Sequence, residues 1–273
     1  MLIHNDQAFN IGMPHRLLNQ YVLFYNIVFP RKTIFKEQYT LMPDACGTLS
    51  LAYNGKDILA ELWGASIAPT LLGAEPNQYQ VMLLIQLSPY GLYQLTHCHQ
   101  AELSGKRLPL KEVDKELCYL LCHALERANN VAELFSKCDE ILYNYMADCV
   151  VSNALLSATK TISDKQGQIL VGELVKEVGY SQRQLNRLFL MQIGMSVKSY
   201  TRLVRFNYVL KHMQKSPCFF AALSQQAGYF DQAHFDKDFK SISGVTPQDY
   251  MKYMSDFYYD ATEDIAILSS RRG

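Results

Sequence analysis

Two stretches decide how this chain is read: Gly172–Phe189, GELVKEVGYSQRQLNRLF, and Ala227–Tyr250, AGYFDQAHFDKDFKSISGVTPQDY. Leu174, Val178, Gly179, Tyr180, Leu185, Phe189, Gly194, Ser196 and Tyr200 in the first region match Leu223, Ala227, Gly228, Tyr229, Phe235, Phe239, Gly244, Thr246 and Tyr250 in the second. The offset is 49 residues through the Gly-Tyr pair and 50 from Leu185/Phe235 onward, so the turn of the second copy carries one extra residue. Matched positions at nearly constant spacing mark an internal repeat.

Each copy spells the same local structure. Leu170, Val171, Leu174, Val175 and Val178 recur with helical period and predict one apolar stripe. Gly179 ends that helix, because a residue without a β-carbon takes the left-handed conformation readily. Ser181 followed by Gln184 is the pattern of a capping box for a second helix, whose inward face would be Leu185, Leu188 and Phe189. The second copy repeats the plan with Ala221–Ala227, the turn Gly228-Tyr229-Phe230, Asp231 as cap, and Phe235 and Phe239 inward. Two helices joined by a short, Gly-containing turn are a helix-turn-helix. Between the copies a connecting helix is expected from about Ser196 to Lys215, ended by Ser216-Pro217. Tyr200, Leu203, Phe206, Leu210 and Met213 share one face of it, and Lys198, Arg202 and Arg205 another.

Charge points the same way. The chain has 273 residues with 26 basic and 26 acidic side chains, so the total is uninformative. Residues 1–160 hold 12 Lys/Arg against 15 Asp/Glu, a net of −3, and residues 161–273 hold 14 against 11, a net of +3. Between Glu177 and Asp231 there is no carboxylate, but there are Arg183, Arg187, Lys198, Arg202, Arg205, Lys211 and Lys215. A helical, carboxylate-free stretch with that many cations is the footprint expected for a polyanion surface. A recognition helix offers its exposed N-terminal residues to base edges. That set is Gln182, Arg183, Asn186 and Arg187 in the first unit, and Gln232, Ala233, His234, Asp236 and Lys237 in the second. Arg suits guanine O6/N7, and Asn or Gln suit adenine N6/N7. Ser181, Lys198, Arg202 and Lys240 are expected on phosphates. Asp231, Asp236 and Asp238 put three carboxylates near the second reading helix, so the first unit should carry more of the affinity.

These two stretches, with the connecting SYTRLVRFNYVLKHM of Ser199–Met213, resemble the double helix-turn-helix domain of AraC/XylS-type bacterial transcription regulators over roughly residues 160–255. The Gly-Tyr, Phe, Phe-Lys, Gly and Thr-Pro-x-x-Tyr landmarks of the second stretch carry the resemblance. It implies two helical subdomains whose reading helices enter adjacent major-groove segments. Base contacts would then fall at Gln182, Arg183, Asn186 and Arg187, and at Gln232, His234 and Lys237. Asp236 and Asp238 make the second helix more acidic than is usual in the family. The resemblance also implies double-stranded DNA and RNA polymerase as partners, and an N-terminal domain that senses a small effector or forms a homodimer.

The first half reads differently. Tyr21–Phe29, Tyr39–Met42, Gly47–Tyr53, Asp57–Trp63 and Tyr79–Leu87 are β-like runs, with a hairpin at Asn54-Gly55. From about Lys111 the pattern turns helical, with a second helix expected from Val131 to about Leu156. The polar segment Ser157–Gly167 reads as a linker. The expected class is α+β: a β-rich N-terminal domain with trailing helices in residues 1–156, a linker at 157–167, an all-α double helix-turn-helix domain at 168–255, and a tail at 256–273. Pro89–Leu110 bears a faint likeness to an uncharacterised N-terminal domain found in a subset of such regulators, and no ligand follows from it.

Other chemistries find little support in the residues. Seven scattered cysteines suit reduced thiols better than a disulfide framework. His97-Cys98-His99 and Cys118, Cys122 and His123 show no zinc-like ligand spacing, and neither a metal nor a cofactor is expected. Trp63 reads as core rather than pocket. The apolar runs are far shorter than the ~20 residues of a membrane helix. No signal peptide is read at Met1–Asp6, and a cytoplasmic protein is expected. A DNA-linked alkyl-transfer enzyme would need a Pro-Cys-His setting, whereas Pro217-Cys218-Phe219 lacks the histidine. A protein-interaction module with a merely solvated basic face would bind DNA weakly and without sequence preference. The expected function is a sequence-specific, effector-responsive transcription regulator, not an enzyme.

Overall fold

The computed structural model describes residues 9–30, 35, 37, 39–215 and 220–253. The expected tail at 256–273 and the Pro217-Cys218-Phe219 segment lie outside them. Among the described residues, six strands form an antiparallel sheet in the order β1 (Phe9–Gly12), β2 (Val22–Val28), β7 (Val81–Leu87), β4 (Thr48–Tyr53), β5 (Ile58–Trp63), β8 (Arg107–Pro109). A separate ribbon pairs β3 (Thr40–Leu41) with β6 (Thr70–Leu71). The central strands are apolar on both faces. Leu49, Leu51, Leu83 and Ile85 join the main core, while Val28, Ala52, Tyr79 and Met82 form a smaller cluster on the other face. The β4–β5 hairpin pairs Tyr53 with Ile58, so its loop is four residues long. Asn54 Oδ1 accepts from the N–H groups of Lys56 and Asp57, both at 2.9 Å, and Gly55 takes φ +107°.

Helices α1 (Gly91–Thr96) and α2 (Gln100–Leu103) lie between β7 and β8, and α3 (Leu110–Val113) follows β8 where the helical pattern was expected to begin; α1 and α2 are foreshadowed by no periodic pattern, being very short. Then come α4 (Lys115–Arg127), capped by Asp114, and α5 (Val131–Met146), capped by Asn130. The α5 helix is fastened to the sheet by Tyr25, whose ring stacks on Phe135 and whose hydroxyl donates to Asp139 at 2.8 Å.

Two expectations are corrected here. The helix expected from Val131 to Leu156 stops at Met146, and a new helix, α6 (Asn153–Asp164), starts with Ser152 accepting from Leu155 N–H at 3.3 Å. The segment expected as a linker at 157–167 is therefore helical as far as Asp164. Ala158, Thr159 and Ile162 are buried, and Thr159 satisfies its hydroxyl on the Leu155 carbonyl. Polar composition misled because this helix is narrow-striped: Lys160, Ser163 and Asp164 turn outward while three small or branched residues turn in.

The remaining helices are α7 (Val171–Val178), α8 (Gln182–Gln192), α9 (Val197–Lys215), α10 (Phe220–Gln226), α11 (Gln232–Ser243) and α12 (Pro247–Tyr253). The α6 helix packs on α7, α8 and α9, and α1 and α2 pack on α8, so one apolar core runs through both halves of the chain. At that junction Gly194, at φ +93°, lies where a Cβ would stand 2.8 Å from the Gln100 carbonyl oxygen. No described helix is long and apolar enough to cross a membrane.

Candidate nucleic-acid interface

In the first unit α7 ends at Gly179, which adopts φ +73° and returns its N–H to the Val175 carbonyl. Leu170, expected on the buried stripe, instead precedes the helix and is 70% exposed. The capping box at the start of α8 is complete: Ser181 Oγ accepts from Gln184 N–H at 3.3 Å, and Gln184 Oε1 accepts from Ser181 N–H at 3.1 Å. Leu185 and Phe189 are fully buried, Phe189 meeting Tyr200 of α9 edge-on at 5.4 Å. This fixes which face of α8 is turned outward. Gln182, Arg183 and Arg187 are exposed. Asn186 is half-buried and its Oδ1 accepts from Val197 N–H at 3.2 Å, which caps α9 and leaves only its Nδ2 for a base. The N-terminal half of the chain touches the opposite end of α8, where Gln192, Ile193, Gly194 and Met195 are buried. The reading end stays open.

The second unit has the same frame. Gly228 takes φ +73°, and Asp231 accepts from His234 N–H at 2.7 Å to cap α11. Phe235 and Phe239 are buried, and Phe239 is a hub, with ring centroids 5.0 Å from Phe206, 5.8 Å from Phe235 and 5.7 Å from Tyr250. Gln232, Ala233, His234, Lys237 and Lys240 are exposed, and Asp236 is half-buried. The His234 ring stands edge-on to Tyr229 at 5.3 Å.

The basic stripe expected along the connecting helix is broken up by the fold. Arg202 bonds Asp238 of α11, Nε to Oδ1 at 2.8 Å and Nη2 to Oδ1 at 2.7 Å, and also donates to Ser241 Oγ. Arg202 therefore ties α9 to α11, a bond that the sequence did not suggest. The same bond corrects the reading of Asp238 as a repelling carboxylate. Its charge is matched, and its other oxygen accepts from the Tyr229 hydroxyl at 3.0 Å. Burial, and behind it the Asp238 carboxylate, pushes the Tyr229 hydroxyl up, so it stays a donor. Arg205 bonds the Gly167 carbonyl through Nε at 3.1 Å and Nη2 at 2.7 Å, with its guanidinium 5.4 Å from the Tyr229 ring centroid. Arg205 is thus a clamp between the end of α6 and the second unit. Ser181 has committed both its hydroxyl and its backbone N–H to the capping box with Gln184.

What remains outward is a divided surface: Arg183, Arg187 and Lys198 on the first unit, Gln232, His234, Lys237 and Lys240 on the second. Lys198 and Arg202 should accordingly behave differently. Lys198→Ala is expected to weaken duplexes of every sequence evenly and to reduce the salt slope by ~1. Arg202→Ala strands the part-buried Asp238 and should lower the unfolding midpoint in urea, which Lys198→Ala should not. Equal unfolding midpoints for the two variants would contradict the bridge.

The comparisons agree with this geometry. A model of a helix-turn-helix domain matches residues 174–253. Over 70 residues the chain is 33% identical to the HTH-type transcriptional activator RhaR of Salmonella arizonae, and equally so to that of Salmonella newport. Residues 174–253 are an AraC/XylS-type helix-turn-helix domain. The match takes in 26% of this chain and 25% of the relative, so the chain spans about a quarter of the length of the curated relatives it matches. Among solved structures, this chain is similar to the C-terminal domain of AraT, a response regulator from Geobacillus stearothermophilus. That likeness has TM-score 0.36 at 19% identity, over 38% of this chain and 88% of that one. ToxT from Vibrio cholerae aligns with TM-score 0.44 at 12% identity, over 92% of this chain and 99% of ToxT.

In the N-terminal half, a shallow cleft of about 240 Å³, open mouth included, lies on the outer sheet face beside Trp63, Tyr79, Met82 and Arg107. Arg107 bonds Glu61 and Glu75, each at 2.7 Å, and sits 4.6 Å from the Trp63 ring centroid. The Trp63 indole donates to Glu61 at 3.1 Å. Trp63 is therefore held in a polar network, and the charge of Arg107 is already matched. His97, Cys98 and His99 form the exposed turn between α1 and α2, His97 closing α1 at φ 52°. Cys118 and Cys122 lie half-buried one turn apart on α4; burial, then the neighbouring Cys118, pushes the Cys122 thiol up to about 12.

Proposed function

We propose that this chain binds a specific double-stranded DNA site through both helix-turn-helix units and regulates transcription from it in the cytoplasm, without catalysing a reaction. The observation that carries the reading is the pair of identically framed helices, α8 and α11, each capped, each fixed by two buried aromatic or aliphatic anchors, and each presenting an exposed polar N-terminal end. The connecting α9, at 19 residues, is about 28 Å long, a little under the ~34–36 Å of one duplex turn. Arg183, Arg187 and Gln182 read bases in the first half-element, with Nδ2 of Asn186 beside them; Gln232, His234 and Lys237 face the second. Lys198 and Lys240 hold phosphates.

Residues 1–156 act in this reading as the effector-sensing or dimerising part, joined through α6 to the reader at 168–255, with RNA polymerase as the further partner. The packing of α1 and α2 on α8, and the close approach of Gly194 to Gln100, give the N-terminal half a direct mechanical hold on the first reading helix.

The test is selection of bound duplexes from a random library by the full chain at near-physiological salt. The expected result is an enriched asymmetric motif with two half-elements about one helical turn apart. Binding that stays weak and sequence-blind would overturn the reading.

A further inference from the structure

The two units share a frame but not a reading surface. In the first, Tyr180 alone stands between Gly179 and the Ser181 cap, and it is 40% exposed. In the second, two aromatics stand between Gly228 and the Asp231 cap. Tyr229 turns inward, 6% exposed, under Arg205 and against Phe235. Phe230 turns out and is 90% exposed. Gly228 already supplies the left-handed residue and Tyr229 the packing, so the turn itself makes no use of the Phe230 ring. Behind it, the first helical turn of α11 exposes Gln232, Ala233 and His234, and no arginine occurs on α11. The α8 helix, by contrast, presents two exposed arginines and no apolar residue at its reading end.

We propose that the second half of the DNA site is read chiefly by apolar contact, with Phe230 and Ala233 meeting the C5-methyl groups of thymines, while the first half is read by hydrogen bonds from Arg183 and Arg187. Thymine methyls are the apolar feature that the major groove presents, and alanine and phenylalanine are side chains that meet them. Phe230 stands just before the Asp231 cap of the reading helix, and residues 230–234 are all exposed, so a duplex that meets the start of this helix would cover the ring. The specificity of the second unit then depends on Phe230, the more exposed of the two residues that fill this turn. This inference rests on the reading of the domain as a sequence-specific DNA binder.

The experiment uses the full chain and the duplex recovered from the random library. Thymines of one half-element at a time are replaced by deoxyuridine, which removes the methyl group and nothing else. In the second half-element each replacement should weaken binding about fourfold, the value of one buried methyl group; in the first it should change binding less than twofold. Phe230→Ser should weaken the parent duplex and no longer distinguish thymine from uracil, whereas Phe230→Leu should retain the distinction. Retained sensitivity of Phe230→Ser to a changed base in the first half-element shows that the variant is folded. A second half-element recovered without thymine overturns the proposal, as does an indifference of the wild type to uracil there. So does an even loss across all sequences in Phe230→Ser, which would place the ring on the sugar-phosphate backbone. None of these results touches the DNA-binding reading, which fails only if no motif is enriched at all.

Discussion

Replacing Arg183 by alanine is expected to cost ~1–3 kcal/mol of binding free energy on the selected duplex and to relax base preference at one position of its first half-element. Arg183 occupies the first turn of α8, whose orientation is fixed by buried Leu185 and Phe189. It is exposed, and no ion pair among the described residues ties it to the fold. A guanidinium there can bridge O6 and N7 of one guanine, a pair of bonds that no other base offers. Because no hydrogen bond or ion pair among the described residues depends on this side chain, stability should stay within about 0.5 kcal/mol of the parent. Anisotropy titrations of the parent duplex and its single-base variants measure the first effect, and urea unfolding the second. If affinity and base preference were both unchanged, α8 would not be the reading helix. Arg187→Ala, one turn further along the same face, should cost a similar amount.

The second large effect concerns the frame. Phe239→Ala should destabilise the chain by about 3–5 kcal/mol, since it empties a site where Phe206, Phe235 and Tyr250 converge from α9, α11 and α12. Through Phe206 the ring is the apolar link between the connecting helix and α11, so its loss should release α10 to α12 first. Hydrogen exchange should then show protection falling there before it falls in the sheet, and library selection should return only the first half-element. A urea midpoint equal to the parent's, with both half-elements retained, would contradict the role given to this ring.

Much of the second half was legible because its determinants are local. Gly179, Ser181, Gln184, Gly228 and Asp231 act on backbone groups two to four residues away, and the sequence interval alone reveals them. The five β-like runs likewise lie on strands, because half-buried strands must carry β-branched and aromatic residues in alternation or in short runs. Where the expectation failed, the partner was distant. Arg202 and Asp238 are 36 residues apart, and Arg205 and Gly167 are 38 apart. Each arginine looked like a free cation in a carboxylate-free stretch until the chain folded it onto an acceptor. Ser157–Gly167 looked like a linker because its composition is polar, and only the arrival of α7, α8 and α9 gives Ala158 and Ile162 something to be buried against.

The repeat, the caps and the apolar stripes, all written within a few residues of where they act, determined by sequence that this chain carries two helix-turn-helix units and which ends of their second helices face outward. Tertiary structure decided which cations remain for a ligand, that Asn186 holds α9 by its oxygen, that the N-terminal half grips the far end of α8, and which of Tyr229 and Phe230 is buried. Those outcomes turn on groups that meet across 11 residues or more: a buried site has room for one aromatic ring, and a part-buried carboxylate takes whichever cation the fold brings within reach.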